Sequence, residues 1–390
     1  MISVAEALSR IFALLAPLPA ETVALSAADG RVLAVDAVAR RAQPPFDGSA
    51  MDGYAVRSGD IHPGAQLRII GESAAGHGFS GSIRSGEAAR IFTGAPLPAG
   101  ADRVVMQEDV RAEGSALTVG PAPEPGPFVM RRGSDFAEGD RLAAPRRLTP
   151  ADLTLLASMN LAEVRVARRP VVAILATGDE LVMPGETPGA DQIVASNGFG
   201  LAALAARAGA VPRLLPIARD RIESLSSAFA LARGADLIVT TGGASVGDHD
   251  LLGHAAQELG LSLDFHKVAM RPGKPLMAGR VGGIPMIGLP GHPVSSMVCG
   301  IIFMCPALAV LAGLPPAPAP RRTAILGAPL EPNGPREHYM RAEEHAGIVR
   351  AFDRQASSLQ SVLSAANALL VRPPHDPGRS AGETVEIVPL

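Results

Sequence analysis

The chain has 390 residues, a formal net charge of −3, no tryptophan, two tyrosines and eleven phenylalanines. It is too long for one ordinary hydrophobic core, so several domains are expected. The nearly balanced charge and the scarcity of aromatic side chains exclude a polyanion-binding surface rich in base-stacking groups, and nucleic acid is not expected as a partner.

The first residues predict a helix, not a targeting segment. They contain no basic start and no cleavage pattern of a signal peptide. Ser3 and Glu6 have the spacing of a capping box, which predicts a helix to about Leu15. The long apolar stretch at 294–311 is interrupted by Pro306 and small polar residues, which favours a buried helix over a membrane span. We expect neither export nor a membrane partner.

The region 41–139 is rich in glycine and proline and contains short β-type runs such as 103–106. This pattern predicts a β-rich inserted domain. Beyond it, Thr149-Pro150-Ala151-Asp152 has a threonine cap followed by proline at the first helical position. Together with the N-terminal helix, this start predicts that 1–40 and 140–168 form one discontinuous helical and β linker domain around the insert.

A regular alternation of strands and helices begins at residue 169. The predicted elements are a strand at 171–176, a helix from Ser196-Asn197 to Gly209, a strand at 211–216, a helix from Asp220 to Gly234, a strand at 237–241, a helix to Gly260, a strand at 285–289 and a long helix ending near Gly313. Such an alternation builds a parallel sheet with helices on both faces, so we predict an α/β domain over 169–313. The proline-rich segment 314–320 is expected to be a stiff linker, and short β-type runs predict a small C-terminal β-barrel over 321–390.

Lysine is confined to one segment of the chain. Of 35 lysine and arginine residues only Lys267 and Lys274 are lysines, seven positions apart. Compact ammonium groups in a chain that otherwise uses arginine indicate a site for a small anion, because a planar guanidinium does not present its donors in the same way. The alternative is a compositional drift toward arginine that spared two neighbours.

Three polar loops follow predicted strands of the α/β domain and are expected to meet at the carboxyl edge of its sheet. They are Thr177–Glu180, Thr241–Asp250 and Pro290–Pro293. The glycine-rich second loop suits a phosphate group, although a tight strand-to-helix turn would need the same glycines. Nearby acids would hold magnesium through their oxygens, and the candidates are Glu180, Asp250 and Asp220. Asp220 and Asp250 have helix capping as the alternative.

Other reactive residues do not form a recognisable constellation. No Ser-His-Asp order, HExxH helix or CxxC pair is present, so hydrolase, zinc protease and redox functions lack support. His249, His254 and His292 are too loosely spaced to predict a metal site. Cys299 and Cys305 lie in an apolar run, which predicts reduced, buried thiols in a cytoplasmic protein.

Seven motifs, in order and spacing, together resemble the molybdopterin molybdenumtransferase family, which comprises the MoeA-type enzymes and the gephyrin E domain. The resemblance covers essentially the whole chain. The motifs are Phe46–Ala55, Thr93–Pro96, Arg131–Asp135, Ala176–Glu180, Thr241–Asp250, Arg271–Pro275 and Gly288–Ser295.

The resemblance implies insertion of molybdate into adenylyl-molybdopterin with release of AMP, in the presence of Mg²⁺. It implies a MogA-like α/β domain that binds molybdopterin, and a homodimer in which the inserted domain of one subunit faces the α/β and C-terminal domains of the other. Transient contact with the adenylyltransferase and with acceptor molybdoenzymes is also expected.

The resemblance also assigns roles to residues of this chain. The catalytic set is Asp52, Asp135, Asp250, Lys267 and Lys274, and Glu180 and Asp250 are the metal ligands. The substrate-binding set is Thr93, Asp220, Gly242, Gly243, Ser245, Arg271, Pro290, Pro293, Arg341 and Ser357. Charge-assisted hydrogen bonds from Lys274, Arg271 and Arg341 would suit a tetrahedral dianion.

Two residues depart from the family pattern, and two other functions compete. Arg271 stands where many relatives carry lysine, and His292 replaces an asparagine often found between glycine and proline. A related α/β domain with a similar glycine loop performs the preceding adenylyl transfer, but the extra β domains and the Asp52 motif favour insertion. A receptor-clustering scaffold, as in the animal relative, would need additional domains.

Overall fold

A computed structural model of the protein describes residues 1–242 and 260–390. The predicted glycine loop beyond Gly242, including Gly243, Ser245 and Asp250, lies outside the described residues, as does the helix predicted to end at Gly260.

The N-terminal part consists mainly of short strands. Its helices and strands, in chain order, are α1 Val4–Ala13, β1 Ala20–Ala24, β2 Val32–Leu33, β3 Ala37–Val38, β4 Gly48–Ser49, β5 Gly53–Val56, β6 Gln66–Ser73, β7 Glu87–Ile91, β8 Arg103–Met106, β9 Val110–Glu113, β10 Ala116–Val119, β11 Val129–Met130, β12 Arg141–Leu142, β13 Arg146–Arg147, α2 Pro150–Ser158 and β14 Glu163–Ala167.

The rest of the described chain alternates strands and helices before returning to strands. The elements are β15 Val171–Ala176, β16 Leu181–Val182, β17 Ile193–Val194, α3 Asn197–Arg207, β18 Val211–Leu214, α4 Ile222–Leu231, β19 Leu237–Thr241, β20 Leu261–His266, β21 Met270–Arg271, β22 Met277–Val281, β23 Ile284–Leu289, α5 Pro293–Cys299, α6 Cys305–Leu311, β24 Arg322–Leu326, β25 Glu337–His345, β26 Ile348–Ala351, α7 Gln360–Ala365, β27 Ala368–Arg372 and β28 Thr384–Pro389.

Segments from both sides of the insert build one small unit. Strands β1, β14, β2 and β13 form a four-stranded sheet, and its core joins residues such as Leu33 with Leu156 and Val166. Helix α2 starts as predicted: the Thr149 hydroxyl accepts from the Asp152 amide, and the Asp152 carboxylate accepts from the Thr149 amide. The reciprocal bonds satisfy amides at the start of the helix that have no partner within it.

The inserted region is β-dominated, as predicted. Strands β8, β5, β7, β6, β10 and β9 form one six-stranded sheet. Its core contains Tyr54, Leu67 and Val105. At one edge Asp47 accepts hydrogen bonds from Arg131 Nη1 and from the Arg132 amide, at 2.7 and 2.8 Å, which fixes the start of the Arg131–Asp135 motif.

Helix α1 packs away from the unit that contains β1 and β14. The Ser3 hydroxyl caps it by accepting from the Glu6 amide, while the Glu6 carboxylate accepts from Arg10 at 2.7 Å. Its buried residues, among them Leu8 and Ile11, belong to the core of the α/β unit. The domain boundaries proposed from the sequence remain a prediction, and the first helix contributes its buried residues to the α/β core.

The α/β unit is built on a mixed six-stranded sheet with the order β18, β15, β19, β23, β22, β20. The first four strands are parallel, as predicted, whereas β22 pairs antiparallel with both β23 and β20. The antiparallel pair arises because the chain returns directly along β22 and β23 without a crossover helix. Helix α4 begins at Ile222, two residues after the predicted start.

The long apolar helix is mostly enclosed by the protein. One helix among the described residues, Pro293–Leu311, is long and apolar enough to cross a membrane, but 78% of its most apolar window is buried. It consists of α5, a π-helical turn at Gly300–Met304, and α6. Its residues Val298, Phe303 and Leu308 lie in the α/β core, which confirms the predicted buried helix.

The C-terminal region is a small closed barrel, as predicted. Its strands follow the order β25, β26, β24, β28, β27, and pairing of β25 with β27 closes it. The barrel also pairs with β21 of the α/β unit, since Met270 and Arg271 lie in register with Glu337 and His338. This strand connection was not predicted, and it fixes the position of the lysine-containing segment against the barrel.

Candidate functional site

A cavity of about 660 Å³ lies at the carboxyl edge of the α/β sheet. All three predicted loops contribute to it. Its lining includes Thr177 and Glu180 after β15, Gly242 after β19, and Pro290 and Pro293 after β23. The structure thus brings together four of the predicted site residues: Glu180, Gly242, Pro290 and Pro293.

Gly242 is the point where these loops touch. Its φ is +92°, and a Cβ there would lie 2.3 Å from the Thr177 carbonyl oxygen. A Cβ on Gly291 would in turn lie 3.5 Å from the Gly242 Cα. Both the backbone conformation and the close approach require glycine at position 242, so the tight-turn explanation holds for this residue whatever ligand the loop binds.

Three carboxylates gather beside the cavity. The Asp220 amide donates to Asp179 Oδ1 at 3.2 Å, and Glu180 folds back so closely that a Cβ on Gly178 would meet its Oε2 at 2.3 Å. Partial desolvation, and then the charges of Asp179 and Glu180, raise the pKa of Asp220. Negative charge is therefore concentrated here, and the nearby Arg219 guanidinium bonds to the main-chain carbonyls of Gly178, Asp179 and Leu181.

Helix capping does not explain Asp220. The N-cap of α4 is Arg221, and no side-chain bond caps the helix. In the described parts of the chain no three His, Cys, Asp or Glu side chains form a group that could hold a metal ion. Of the two predicted metal ligands Glu180 lines the cavity, and Asp250 lies outside the described residues.

The two lysines lie at the ends of a tight hairpin. The Lys267 amide donates to the Leu276 carbonyl and the Val268 amide to the Lys274 carbonyl, each at 2.9 Å. The chain's own N-terminus pairs with it, because the Ala269 amide donates to the Ile2 carbonyl at 2.8 Å. Both lysine side chains are exposed, and so is that of Arg271.

The hairpin is held against α5 and reaches the cavity. Gly273, with φ of +116°, packs so tightly that a Cβ would lie 2.4 Å from Cys299 Sγ. Burial raises the pKa of the Cys299 thiol and raises that of Cys305 to about 11, so both are packing groups, as predicted. Pro275, the residue after Lys274, lines the cavity.

Arg341 is a fully buried cation beside this hairpin. It is 0% exposed, its Nη2 makes one long bond to the Ala356 carbonyl at 3.4 Å, and its Nε and Nη1 have no partner among the described residues. Burial and the charge of Arg271 lower its pKa to about 10, which still leaves the guanidinium charged at neutral pH. Gln355 fixes its backbone through two bonds of 3.0 and 2.9 Å.

Ser357 lies close to the start of α5. Its carbonyl accepts from the Val294 amide at 3.1 Å, and the residue is half-buried. The neighbouring Ser358 lines the cavity. The sequence therefore located the segment, but Ser358 is the serine that faces the cavity.

Asp52, Thr93 and Asp135 all lie on the inserted β region. Asp52 Oδ1 accepts from both the amide and the hydroxyl of Thr93, each at 2.8 Å, and these two bonds lower the pKa of the exposed carboxylate. The Asp135 amide donates to the Gln43 carbonyl at 3.0 Å. The hydrogen-bond partners found for these residues in the described structure belong to the inserted region.

Sequence reasoning missed a polar tie across the cavity. Asn197 Nδ2 donates to the Gly291 carbonyl at 2.7 Å, and Gln360 Nε2 donates to the Ser196 hydroxyl at 3.1 Å. These side chains all line the cavity and join α3, the loop after β23 and the barrel. The sequence predicts only a helix start at Ser196-Asn197, because a bond to a residue 94 positions away leaves no local pattern.

Family models cover most of the chain in the order of its structural units. The MoeA N-terminal region, described as domain I and II, matches residues 2–160; a probable molybdopterin binding domain matches 173–310; and the MoeA C-terminal region, domain IV, matches 323–390. The middle match contains most of the cavity lining, and the last contains Arg341 and the lining residues Ser358 and Gln360.

Relatives and solved structures agree along the whole length. A molybdopterin molybdenumtransferase of Nostoc is 36% identical over 95% of this chain and 88% of its own, and one of Haemophilus influenzae is 35% identical over 100% and 99%. A crystal structure of a molybdopterin biosynthesis moeA protein from Pyrococcus horikoshii superposes with a TM-score of 0.87 at 28% identity over the full length of both chains. The chain therefore belongs to the molybdopterin molybdenumtransferase family and is a transferase of molybdenum cofactor biosynthesis.

Proposed function

We propose that the protein inserts molybdate into adenylyl-molybdopterin, releases AMP and yields the molybdenum cofactor. One observation carries the proposal: Arg271, Lys274 and Arg341 make no ion pair within residues 1–242 and 260–390, although Arg341 is fully buried. A buried cation without a counter-charge is unfavourable, and a bound oxyanion would relieve it.

The oxyanion would lie between the hairpin and the barrel. Arg341 has free N–H donors, the ammonium of Lys274 can rotate to meet an oxygen, and Arg271 offers a planar pair of donors. Ser357 is placed to add a hydroxyl, and Lys267 adds to the positive potential. A tetrahedral dianion matches this set because it presents four acceptors around one centre.

The adenylylated pterin would occupy the adjoining cavity. Gly242, Pro290 and Pro293 line it. The loop that continues through Gly243 and Ser245 would bind the phosphate through its amides. Asp220 would contact the nucleotide or its metal.

Mg²⁺ would bind at the acidic side of the same cavity. Carboxylate oxygens are the ligands that Mg²⁺ prefers, and the negative charge concentrated at Glu180, Asp179 and Asp220 fits that need. Glu180 and Asp250 are the proposed ligands. When bound, the cation would neutralise charge on the phosphate as the bond to AMP breaks.

Asp52, Thr93 and Asp135 would enter the site from a second copy of the chain. The protein is accordingly proposed to act as a homodimer in the cytoplasm, in transient contact with the adenylyltransferase and with acceptor molybdoenzymes. On each side of the proposed site a neighbouring residue holds the functional group in position. Thr93 orients the Asp52 carboxylate in the inserted region, and Gln355 fixes the backbone of Arg341 in the barrel. Positioning of this kind supplies much of the rate in a two-substrate reaction.

Purified protein incubated with adenylyl-molybdopterin, molybdate and Mg²⁺ is expected to release AMP, and release should stop when either molybdate or Mg²⁺ is omitted. AMP and ATP are both followed by chromatography. AMP release without molybdate would contradict insertion, ATP consumption with unmodified molybdopterin would indicate the adenylyl transfer instead, and neither reaction would favour a scaffold.

Lys274→Ala is expected to raise the molybdate concentration needed for half-maximal AMP release by about tenfold or more, because it removes a charge-assisted hydrogen bond to the oxyanion. The exposed Arg207 provides a control: Arg207→Gln removes one positive charge from the α/β unit but should leave the molybdate response unchanged. An unaltered response in Lys274→Ala would remove Lys274 from the oxyanion site.

Arg341→Met is expected to weaken molybdate binding at least as much, yet to leave the melting temperature of the ligand-free protein equal or higher, because the buried charge it removes has no partner. Arg372→Met is the matched control in the same barrel. The Arg372 guanidinium pairs with the buried Asp376, so removing it should lower the melting temperature. A melting temperature that falls as far in Arg341→Met as in Arg372→Met would show that Arg341 has a structural partner.

Mixed dimers test the shared site. Asp52→Asn and Lys274→Ala homodimers should both be impaired, whereas a purified mixed dimer of the two variants would contain one site with both native residues and one with neither. Its activity should be about half that of the native dimer. A mixed dimer no more active than the impaired homodimers would indicate that Asp52 and Lys274 act within one subunit, or not together.

A further inference from the structure

His338 is a buried imidazole whose Nε2 has no hydrogen-bond partner in residues 1–242 and 260–390. It lies on β25 and is 6% exposed. Across the sheet it is in register with Arg271 on β21 and with Arg372 on β27. Residues in register on adjacent strands present their side chains on the same face, so the imidazole stands between two guanidinium-bearing residues.

Its electrostatic surroundings are mainly positive. The charged groups that act on it are Arg271, Arg341 on its own strand, Arg372, and Arg336 just before β25. Arg372 is neutralised by Asp376. The other three make no ion pair in the described parts of the chain, and Arg336 donates only a long bond, 3.4 Å, from Nη1 to the Met270 carbonyl.

These charges keep the imidazole neutral in the ligand-free protein. Burial, and then the charges of Arg271 and Arg341, lower the pKa of His338 to about 3. A further buried positive charge would be unfavourable in this cluster. A bound dianion has the opposite effect on the pKa of His338. Its two negative charges beside Arg271 and Arg341 would outweigh the guanidinium charges and favour the protonated imidazolium.

We infer that His338 is a further residue of the oxyanion site, one that takes up a proton when a dianion binds and releases it when the dianion leaves. The proton comes from solvent and is held on the imidazole ring. The inference rests on the proposed oxyanion site at Arg271 and Arg341. Proton uptake by His338 would add one positive charge to the site when a dianion binds, and this favours a dianion such as molybdate over a monoanion.

The sign of the pH dependence follows from linkage. The pKa of His338 is higher with the oxyanion bound than without it, so the bound state holds more protons. Binding should therefore tighten as the pH falls from above the bound-state pKa toward the free-state value of about 3. Uptake of one proton per oxyanion changes the affinity by about tenfold per pH unit, and partial uptake by proportionately less.

The test is calorimetric titration of the full-length protein with inorganic molybdate between about pH 6 and pH 8. Repeating it in two buffers with different heats of ionisation measures both the affinity for molybdate and the number of protons taken up. The native protein should take up a measurable fraction of a proton per molybdate, and its affinity should rise toward the acidic end of the range. His338→Gln keeps a side chain of similar length that cannot titrate, so its proton uptake should fall to the background of the other groups.

His375→Gln is the control, because His375 is an exposed histidine of the same barrel and should leave the uptake unchanged. The inference is overturned if the native protein binds molybdate without taking up protons, or if His338→Gln takes up as many. The native measurement needs no variant to fold. Failure of the oxyanion site itself would appear separately, as molybdate affinity unaffected by both Lys274→Ala and Arg341→Met.

Discussion

Uncompensated positive charge at the joint between the α/β unit and the barrel is the constraint on which the site depends. Arg271, Arg336 and Arg341 all act on His338 there and make no ion pair in the described parts of the chain, and Arg341 is completely buried. Elsewhere the barrel satisfies its buried charges: Asp376 accepts from both Arg372 and Arg379. The same small domain thus contains one arginine cluster that is paired with a carboxylate and one that is not. This contrast supports the proposal that the unpaired cluster binds an anion.

A two-residue strand creates this joint. Strand β21 pairs with β25, the hairpin that contains it pairs with the first residues of the chain, and Gly273 packs against Cys299 of α5. Three distant parts of the sequence are thus fixed around the lysine-containing segment. The backbone therefore restricts the hairpin, while the lysine side chains on it stay exposed and free to adapt to a ligand.

The parts of this arrangement that the sequence predicted are those with a local pattern. The alternation of strands and helices predicted the parallel strands of the sheet, and the polar loops after those strands predicted where the cavity lies. The two isolated lysines indicated the segment that forms the hairpin. Pairing of β21 with β25 could not be predicted, since its register joins residues 67 positions apart through main-chain bonds that any sequence can make. The burial of Arg341 and the packing of α1 away from β1 could not be predicted either, because both depend on contacts between residues far apart in the sequence. The alternative that Asp220 caps helix α4 was wrong by one residue, because the N-cap is Arg221.

The two halves of the proposed site are prepared in opposite ways. Asp52 is exposed, and two bonds from Thr93 hold its carboxylate in one orientation and keep it ionised. Arg341 is buried, fixed at its backbone by Gln355 and left with unpaired donors. A negative group that is oriented but open to solvent can approach from outside at little desolvation cost, whereas the cation it would face has already been desolvated by folding. In the proposed dimer, the exposed acid lies on the inserted region and the buried cation in the barrel. Each subunit would then fold with both surfaces formed, and the site would be completed where the surfaces of two copies meet.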